Sequence, residues 1–296
     1  MSQNIFKGLG IALITPFTAS GAVDYSALKR LVEYQLKSGA DFFCILATTG
    51  ETPTLTEDEK QRIKNLVVEI VAGRVPILIG CGGNNTAAIV EELHTRDFSG
   101  IDGVLSVCPY YNKPSKEGIY QHFAAVSKVG IPIVVYNIAG RTGVNITTDT
   151  LARIAELPNI VGVKEASGNI NQMMEVIATI KSKKPDFAVL SGDDALTLPL
   201  ISVGGDGIIS VVSNLAPAAV VEMAHKALEG DFDAARKAHY KLLPFFKAAF
   251  VDGNPTSIKY AMSVKGMPSG PCRLPLAEVN DGAKKVIEDA LKECGL

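Results

Sequence analysis

Ile160-Val161-Gly162-Val163-Lys164-Glu165-Ala166 is a short β-type run with no charge ahead of its lysine. A run apolar on both faces of the pleat describes a parallel strand held between two layers, not one wetted along one side. Period-two alternation places Lys164 on one face with Gly162 and Ala166, two small residues. Val161, Val163 and Glu165 fall on the other. Seven further runs share this character: Leu9–Pro16, Phe42–Thr48, Val75–Cys81, Gly103–Pro109, Ile131–Ile138, Phe187–Ser191 and Gly207–Val212. Successive runs mostly lie about 27–34 residues apart, the length of a strand–crossover–strand unit. The last interval is nearer 20 residues, so its helix must be short.

Between the runs stand helical patterns with recognisable starts. Thr56-Glu57-Asp58-Glu59 reads as a capping box before Gln61–Ala72. Ser115 reads as the N-cap of Lys116–Lys128. Asp193-Asp194 open a stretch through Ile201, where helix capping explains both acids. Eight strands alternating with helices predict an α/β fold, a (β/α)8 TIM barrel, with a doubly wound open sheet as the rival pattern. After the eighth run only helical pattern follows: Ala216–Glu229, Phe232–Phe250 and Pro275–Cys294. The expected organisation is therefore a catalytic barrel over 1–224 and a C-terminal helical extension over 225–296, packed together without a low-complexity linker.

The bulk composition narrows the function. The 296 residues are 47% hydrophobic and 20% charged, with 29 Lys and Arg against 31 Asp and Glu, so the chain can build a large core. A net charge of −2 gives no electrostatic reason to expect nucleic acid or an anionic membrane surface. No apolar run reaches spanning length, and the start Met1–Lys7 has no signal-peptide pattern. Five cysteines without CxxC spacing, three of them (Cys44, Cys81, Cys108) inside strand runs, read as buried thiols of a cytoplasmic protein. His94, His122, His225 and His239 are far apart and lack ligand spacing, so neither a metal nor another cofactor is expected.

A TIM barrel carries its chemistry at the C-terminal strand ends. Those ends here read Thr48-Thr49-Gly50-Glu51, Tyr110-Tyr111-Asn112, Tyr136-Asn137, Lys164-Glu165 and Ser191-Gly192-Asp193-Asp194. A lysine pointing into the barrel mouth over small neighbours loses hydration, which lowers its pKa and yields an amine able to attack a ketone. A lysine snorkelling to solvent from a strand end is the competing reading. Tyr110, Tyr111 and Tyr136 are each compatible with ordinary satisfied core, yet phenols converging on one lysine suit the repeated proton transfers of imine chemistry. The Thr48-Thr49-Gly50 turn offers hydroxyls and N–H groups to a carboxylate, and Arg141, in the loop after the fifth run, offers a bidentate fork. Gly80-Cys81-Gly82-Gly83-Asn84 resembles a dinucleotide loop only until position 85, an asparagine where the third glycine belongs.

With these residues placed, the chain resembles the dihydrodipicolinate synthase/N-acetylneuraminate lyase family over nearly its whole length. The matching segments are Gly10–Pro16, Thr48–Glu51, Pro109–Asn112, Tyr136-Asn137, Gly140–Gly143, Val163–Ala166, Leu190–Asp194 and Gly207–Val211. The resemblance implies that Lys164 forms an imine with pyruvate and that Tyr136 transfers protons with Thr49 and Tyr111 as relay partners. It implies that Tyr111 reaches in from a neighbouring subunit of a homo-oligomer, a tetramer built as a dimer of dimers. It also assigns Thr48 to the pyruvate carboxylate, and Gly192 and the Ile209 carbonyl to the pyruvate pocket.

Arg141-Thr142-Gly143 resembles the synthase branch, where the arginine meets the carboxylate of L-aspartate 4-semialdehyde. The implied reaction is condensation of pyruvate with that aldehyde toward lysine and diaminopimelate. A class I aldolase for N-acetylneuraminate or a 2-keto-3-deoxy sugar acid, and a catalytically silent pyruvate-binding regulatory barrel, are the alternatives. Two positions depart from the family pattern: Ala47 replaces a glycine, and Ile138-Ala139 replaces an aliphatic–proline pair. The resemblance further implies an effector site for lysine near Thr52–Lys60 and Asn84–Ala88. There Ala88 replaces a glutamate, and Glu57 and Lys60 replace histidines, so inhibition by lysine is expected to be weak or absent.

Overall fold

The computed structural model describes residues 4–296, so the N-terminal reading at Met1-Ser2-Gln3 lies outside the described residues. Eight parallel strands close into a barrel in sequential order. They are β1 (Gly8–Ala12), β2 (Phe42–Ile45), β3 (Ile77–Gly80), β4 (Gly103–Val107), β5 (Ile133–Asn137), β6 (Ile160–Glu165), β7 (Ala188–Ser191) and β8 (Gly207–Ser210). Each falls on the run expected for it, β1 starting one residue early. The open doubly wound sheet is excluded because β1 pairs with β8, Gly10 opposite Ile209.

Local chemistry sets the helix starts. Thr56 and Glu59 form the reciprocal capping box, and the helix runs Glu57–Val71. Ser115 caps Lys116–Val126 by accepting from the Gly118 N–H. The helix between β7 and β8 is indeed short, Thr197–Ser202. Of the two acids before it, only Asp193 caps, accepting from the Ala195 N–H at 2.9 Å. Asp194 instead turns inward to accept from the Ser210 hydroxyl and the Val211 N–H at the end of β8. Among the described residues no helix is long and apolar enough to cross a membrane.

The C-terminal part differs in detail from its sequence pattern. The helix Pro217–Leu228 runs straight through residue 225 and is followed by Phe232–Ala248. A further helix, Thr256–Val264, lies where no helix was expected. The last helix starts only at Asp281, not at Pro275, because Asn280 supplies its N-cap by accepting from the Ala283 N–H at 3.0 Å. One apolar core runs from the strands into these helices: Phe245, Ile258, Met262 and Ile287 belong to the same buried cluster as Leu9, Val104 and Val189. The extension therefore shares one continuous apolar core with the barrel. Its Asn254–Arg273 segment reaches the C-terminal mouth, where Asn254 meets Thr49 and Arg273 meets Glu51.

Candidate active site

β5 and β6 pair with Tyr136 opposite Lys164, so both side chains enter the barrel at one level. Both are buried, and the Lys164 Nζ sits 4.4 Å from the centre of the Tyr136 ring. Space for the lysine is made by absences. A Cβ at Gly192 would stand 3.0 Å from Lys164 Cε and 2.6 Å from Ala166 Cβ, so a larger residue there would push the lysine aside. A Cβ at Gly162 would meet Ala188 at 2.6 Å. Snorkelling is thereby excluded: Lys164 points into the barrel, not along a strand end to solvent. Cys44 lies near it, and burial pushes its thiol up to about 11 although the Lys164 charge pulls the other way.

On the opposite face of β6, Glu165 is fully buried and accepts from Asn137 Nδ2 at 3.0 Å, Gln172 Nε2 at 3.0 Å and the Ser167 N–H at 2.7 Å. These bonds tie the ends of β5 and β6 together. The lysine and the tyrosine are held by a carboxylate that faces away from them.

The exit of β2 bends through Leu46, in the left-handed region at φ 50°, into a one-turn helix Thr48–Gly50. Such a bend brings Leu46 O where a Cβ on Gly80 would lie only 2.1 Å away, and a Cβ on Gly82 would be 2.9 Å from Val107 N. The glycines of the apparent dinucleotide loop serve this close strand packing.

Thr48 faces a cavity of about 450 Å³, together with Tyr110, Tyr136, Arg141 and Asn254; Lys60, Cys81 and Glu92 also line it. Thr49 is buried beside the cavity-lining Asn254, its Oγ1 accepting from Asn254 Nδ2 at 3.0 Å. Thr48 thus lines the cavity, and Thr49, the hydroxyl expected in the relay, is bonded to the extension. Arg141 sits exposed at the rim in a short helix, Ala139–Thr142, its Nη2 donating to the Asn254 carbonyl at 3.3 Å. Ala139 opens that turn without the family's proline.

Gly192 stands beside the lysine, and Ile209 lies on the buried strand β8. Tyr111 does not join its own chain's site. It is 88% exposed and held at φ 72°, on a loop fixed by Asn84 donating to Tyr110 O and Asn112 donating to Asn84 O.

Sequence reasoning missed the extension's share of the mouth. Glu51, at φ 54°, ends the Thr48–Gly50 turn and is fully buried against Lys259, with Nζ 2.5 Å from its Oε1. Its Oε2 accepts from the Arg273 N–H at 2.9 Å, while the Arg273 guanidinium forks onto Glu59. Burial draws Lys259 below the usual lysine range, and the Glu51 charge opposes that shift. Arg273 holds the Glu59 carboxyl down at about 2 by hydrogen bonding.

A buried amine beside a phenol, with an arginine at the mouth of a (β/α)8 barrel, defines an enzyme of the class I aldolase type. Comparison with known proteins narrows the class. Residues 5–294 match the model of the dihydrodipicolinate synthetase family. A 4-hydroxy-tetrahydrodipicolinate synthase of Phocaeicola vulgatus is 51% identical over 278 residues, covering 93% of each chain. The structure of a dihydrodipicolinate synthase from Thermotoga maritima superposes with a TM-score of 0.95 at 42% identity, covering 98% of this chain and 99% of that one. A dihydrodipicolinate synthase from Cyanidioschyzon merolae, solved with lysine bound, gives 0.93 at 38% identity, covering 99% and 100%. The chain belongs to the dihydrodipicolinate synthetase family and is a pyruvate-dependent lyase.

Proposed function

We propose that this chain condenses pyruvate with L-aspartate 4-semialdehyde to give 4-hydroxy-tetrahydrodipicolinate, on the way to lysine and diaminopimelate. The observation that carries the reading is the buried Lys164 beside Tyr136, with Arg141 across the mouth. The Lys164 amine adds to the C2 ketone of pyruvate and water leaves, giving an iminium. Loss of a C3 proton gives the enamine whose carbon attacks the aldehyde. The amino group of the second substrate then takes the place of Lys164 at C2 and closes the ring.

Each of these steps moves a proton, and Tyr136 is the phenol adjacent to the amine. We assign the relay hydroxyl to Thr48, which shares the cavity with Tyr136, and the pyruvate carboxylate to Thr49 with the N–H groups of its turn. This exchanges the two threonine roles that the resemblance implies. Gly192 and the Ile209 carbonyl bound the pyruvate pocket, and Arg141 takes the carboxylate of the aldehyde by its planar fork. Tyr111, turned outward on a fixed loop, completes the relay of a second copy, so the working form is a homo-oligomer, a dimer of dimers. Its buried free thiols fit a reducing cytoplasm.

Pyruvate plus borohydride should add a reduced three-carbon unit at Lys164 and stop turnover, and Lys164→Ala should lose at least about a thousandfold in kcat. An unlabelled Lys164 would refute the imine and favour a silent barrel. Cleavage of N-acetylneuraminate faster than condensation with the semialdehyde would instead refute the substrate assignment.

A further inference from the structure

We infer that Asn254, in the C-terminal extension, is a positioning residue that makes Thr49 a hydrogen-bond donor toward the pyruvate carboxylate. The inference rests on the proposed carboxylate role of Thr49 and adds the residue that sets it.

A threonine hydroxyl has one proton to give and lone pairs that accept. An anion accepts only, so a hydroxyl serves it only when its proton is not committed elsewhere. Asn254 Nδ2 donates to Thr49 Oγ1 at 3.0 Å, which occupies the accepting side of that oxygen and leaves its proton free. A donated bond also polarises the hydroxyl and strengthens the bond it gives onward. Both residues are buried, so water does not compete for either position.

The other end of the amide points the same way. Asn254 Oδ1 is buried and has no partner among the described residues. Turning the amide over would orphan both Nδ2 hydrogens in place of one carbonyl oxygen, the costlier outcome. Here the donor end is the one engaged. The residue's third group, its backbone carbonyl, accepts from Arg141 Nη2 at 3.3 Å. One residue thus touches the groups assigned to both substrate carboxylates, the side chain serving pyruvate and the main chain serving Arg141. The division is testable because a side-chain substitution removes the first contact and keeps the second.

The readout is the pyruvate concentration that half-saturates borohydride trapping at Lys164, measured with KM for both substrates. Asn254→Ala should raise the half-saturating pyruvate about fivefold to tenfold and leave KM for the semialdehyde within about twofold. Asn254→Asp, which keeps the shape and cannot donate when ionised, should raise it at least as much. Lowering the pH until the new carboxyl is protonated should restore part of the loss.

In a Thr49→Val background the Asn254→Ala effect should vanish, since both changes remove one interaction. If Thr49→Val alone leaves pyruvate trapping unchanged, the carboxylate role of Thr49 falls, and this inference with it. If Thr49→Val weakens trapping but Asn254→Ala and Asn254→Asp do not, only the role of Asn254 falls. Equal rises in both KM values, or an Asn254→Ala effect undiminished by Thr49→Val, would likewise overturn it.

Discussion

Glu51 and Asp194, two of the carboxylates buried at the C-terminal strand ends, are treated in opposite ways. Glu51, leaving β2, meets a cation from the extension, Lys259 Nζ at 2.5 Å. Asp194, following β7, meets only neutral donors from the barrel itself, the Ser210 hydroxyl and the Val211 N–H. Burial consequently pushes the Asp194 carboxyl up to about 6 in spite of those bonds. The β2 side is thus held to the extension by charge, and the β7–β8 side is closed within the barrel by hydrogen bonds. A charge pair binds two parts of a chain over long sequence distance, but it is costly to break. A lone buried acid costs stability whenever it ionises.

Removing the cation should give the largest effect. Lys259→Met leaves Glu51 charged, buried and served by one N–H, a loss of about 3–5 kcal/mol by comparison with other broken buried pairs. Urea or thermal unfolding should show it directly, and adding Glu51→Gln should recover much of the loss. A single Lys259→Met variant as stable as the parent would mean that the pair does not hold the extension to the mouth.

Asp194 should show the reverse behaviour. Its folded pKa is raised above the ordinary aspartate value of 3.8, so the native state binds the proton more tightly than the unfolded chain does. That contribution is fully present below about pH 4 and is lost as pH rises through about 6, to a limit of about 3 kcal/mol. Asp194→Asn mimics the protonated acid. It should therefore unfold like the parent at pH 4 and be the more stable of the two, by up to about 3 kcal/mol, at pH 7. A stability difference that does not change between those pH values would show that Asp194 keeps an ordinary pKa.

These two acids also mark what the sequence makes legible. The barrel was readable because each strand carries its signal within a few residues: eight Val-, Ile- and Leu-rich runs, and a lysine alone at the end of one of them. Lys164, Tyr136 and Gly192 converge because neighbouring strands place their ends together, which strand order alone implies. The Thr49–Asn254 bond spans 205 residues and the Glu51–Lys259 pair 208, and no periodicity encodes either. The helix Thr256–Val264 was missed for a local reason. It has nine residues, with the loop signals of Asn254-Pro255 and Pro268 on either side and a Thr-Ser start that reads as turn. The two threonines were not separable because adjacent residues of one turn differ only in the direction their side chains take.

Arg141 tests whether the extension bears on substrate choice. Arg141→Ala should raise KM for the semialdehyde about tenfold to a hundredfold, as expected on losing a charged bidentate contact, while pyruvate still forms its imine. Arg141→Lys should not restore it, since an ammonium cannot reproduce the planar fork. An equal loss for an uncharged aldehyde would reduce Arg141 to a structural role, its bond to the Asn254 carbonyl being the part that mattered.

The smallest expected effect belongs to the Lys60 and Glu92 side of the same cavity. A relative from Cyanidioschyzon merolae binds lysine, and the resemblance places an effector site of that kind around Thr52–Lys60 and Asn84–Ala88. A bound lysine brings an α-ammonium that needs an uncommitted carboxylate. Here Ala88 is exposed on its helix and offers none. Glu57 accepts from Lys60 Nζ at 2.6 Å, and Glu92 is paired with Arg96 at 3.0 Å, so both of these acids already have a cation. The Lys60 charge, lining the cavity, adds repulsion toward any second ammonium. Tyr110 and Asn84 remain, but Asn84 is already engaged in fixing the Tyr110 loop. Initial rates should therefore change by less than about twofold in millimolar L-lysine, because desolvating an ammonium without a counter-charge removes most of its affinity. Lys60→His with Ala88→Glu should introduce saturable inhibition by supplying one free carboxylate and removing the competing cation. Clear inhibition of the parent chain would mean that Glu57 or Glu92 leaves its partner to serve the effector, and that these surface pairs are weaker than their distances suggest.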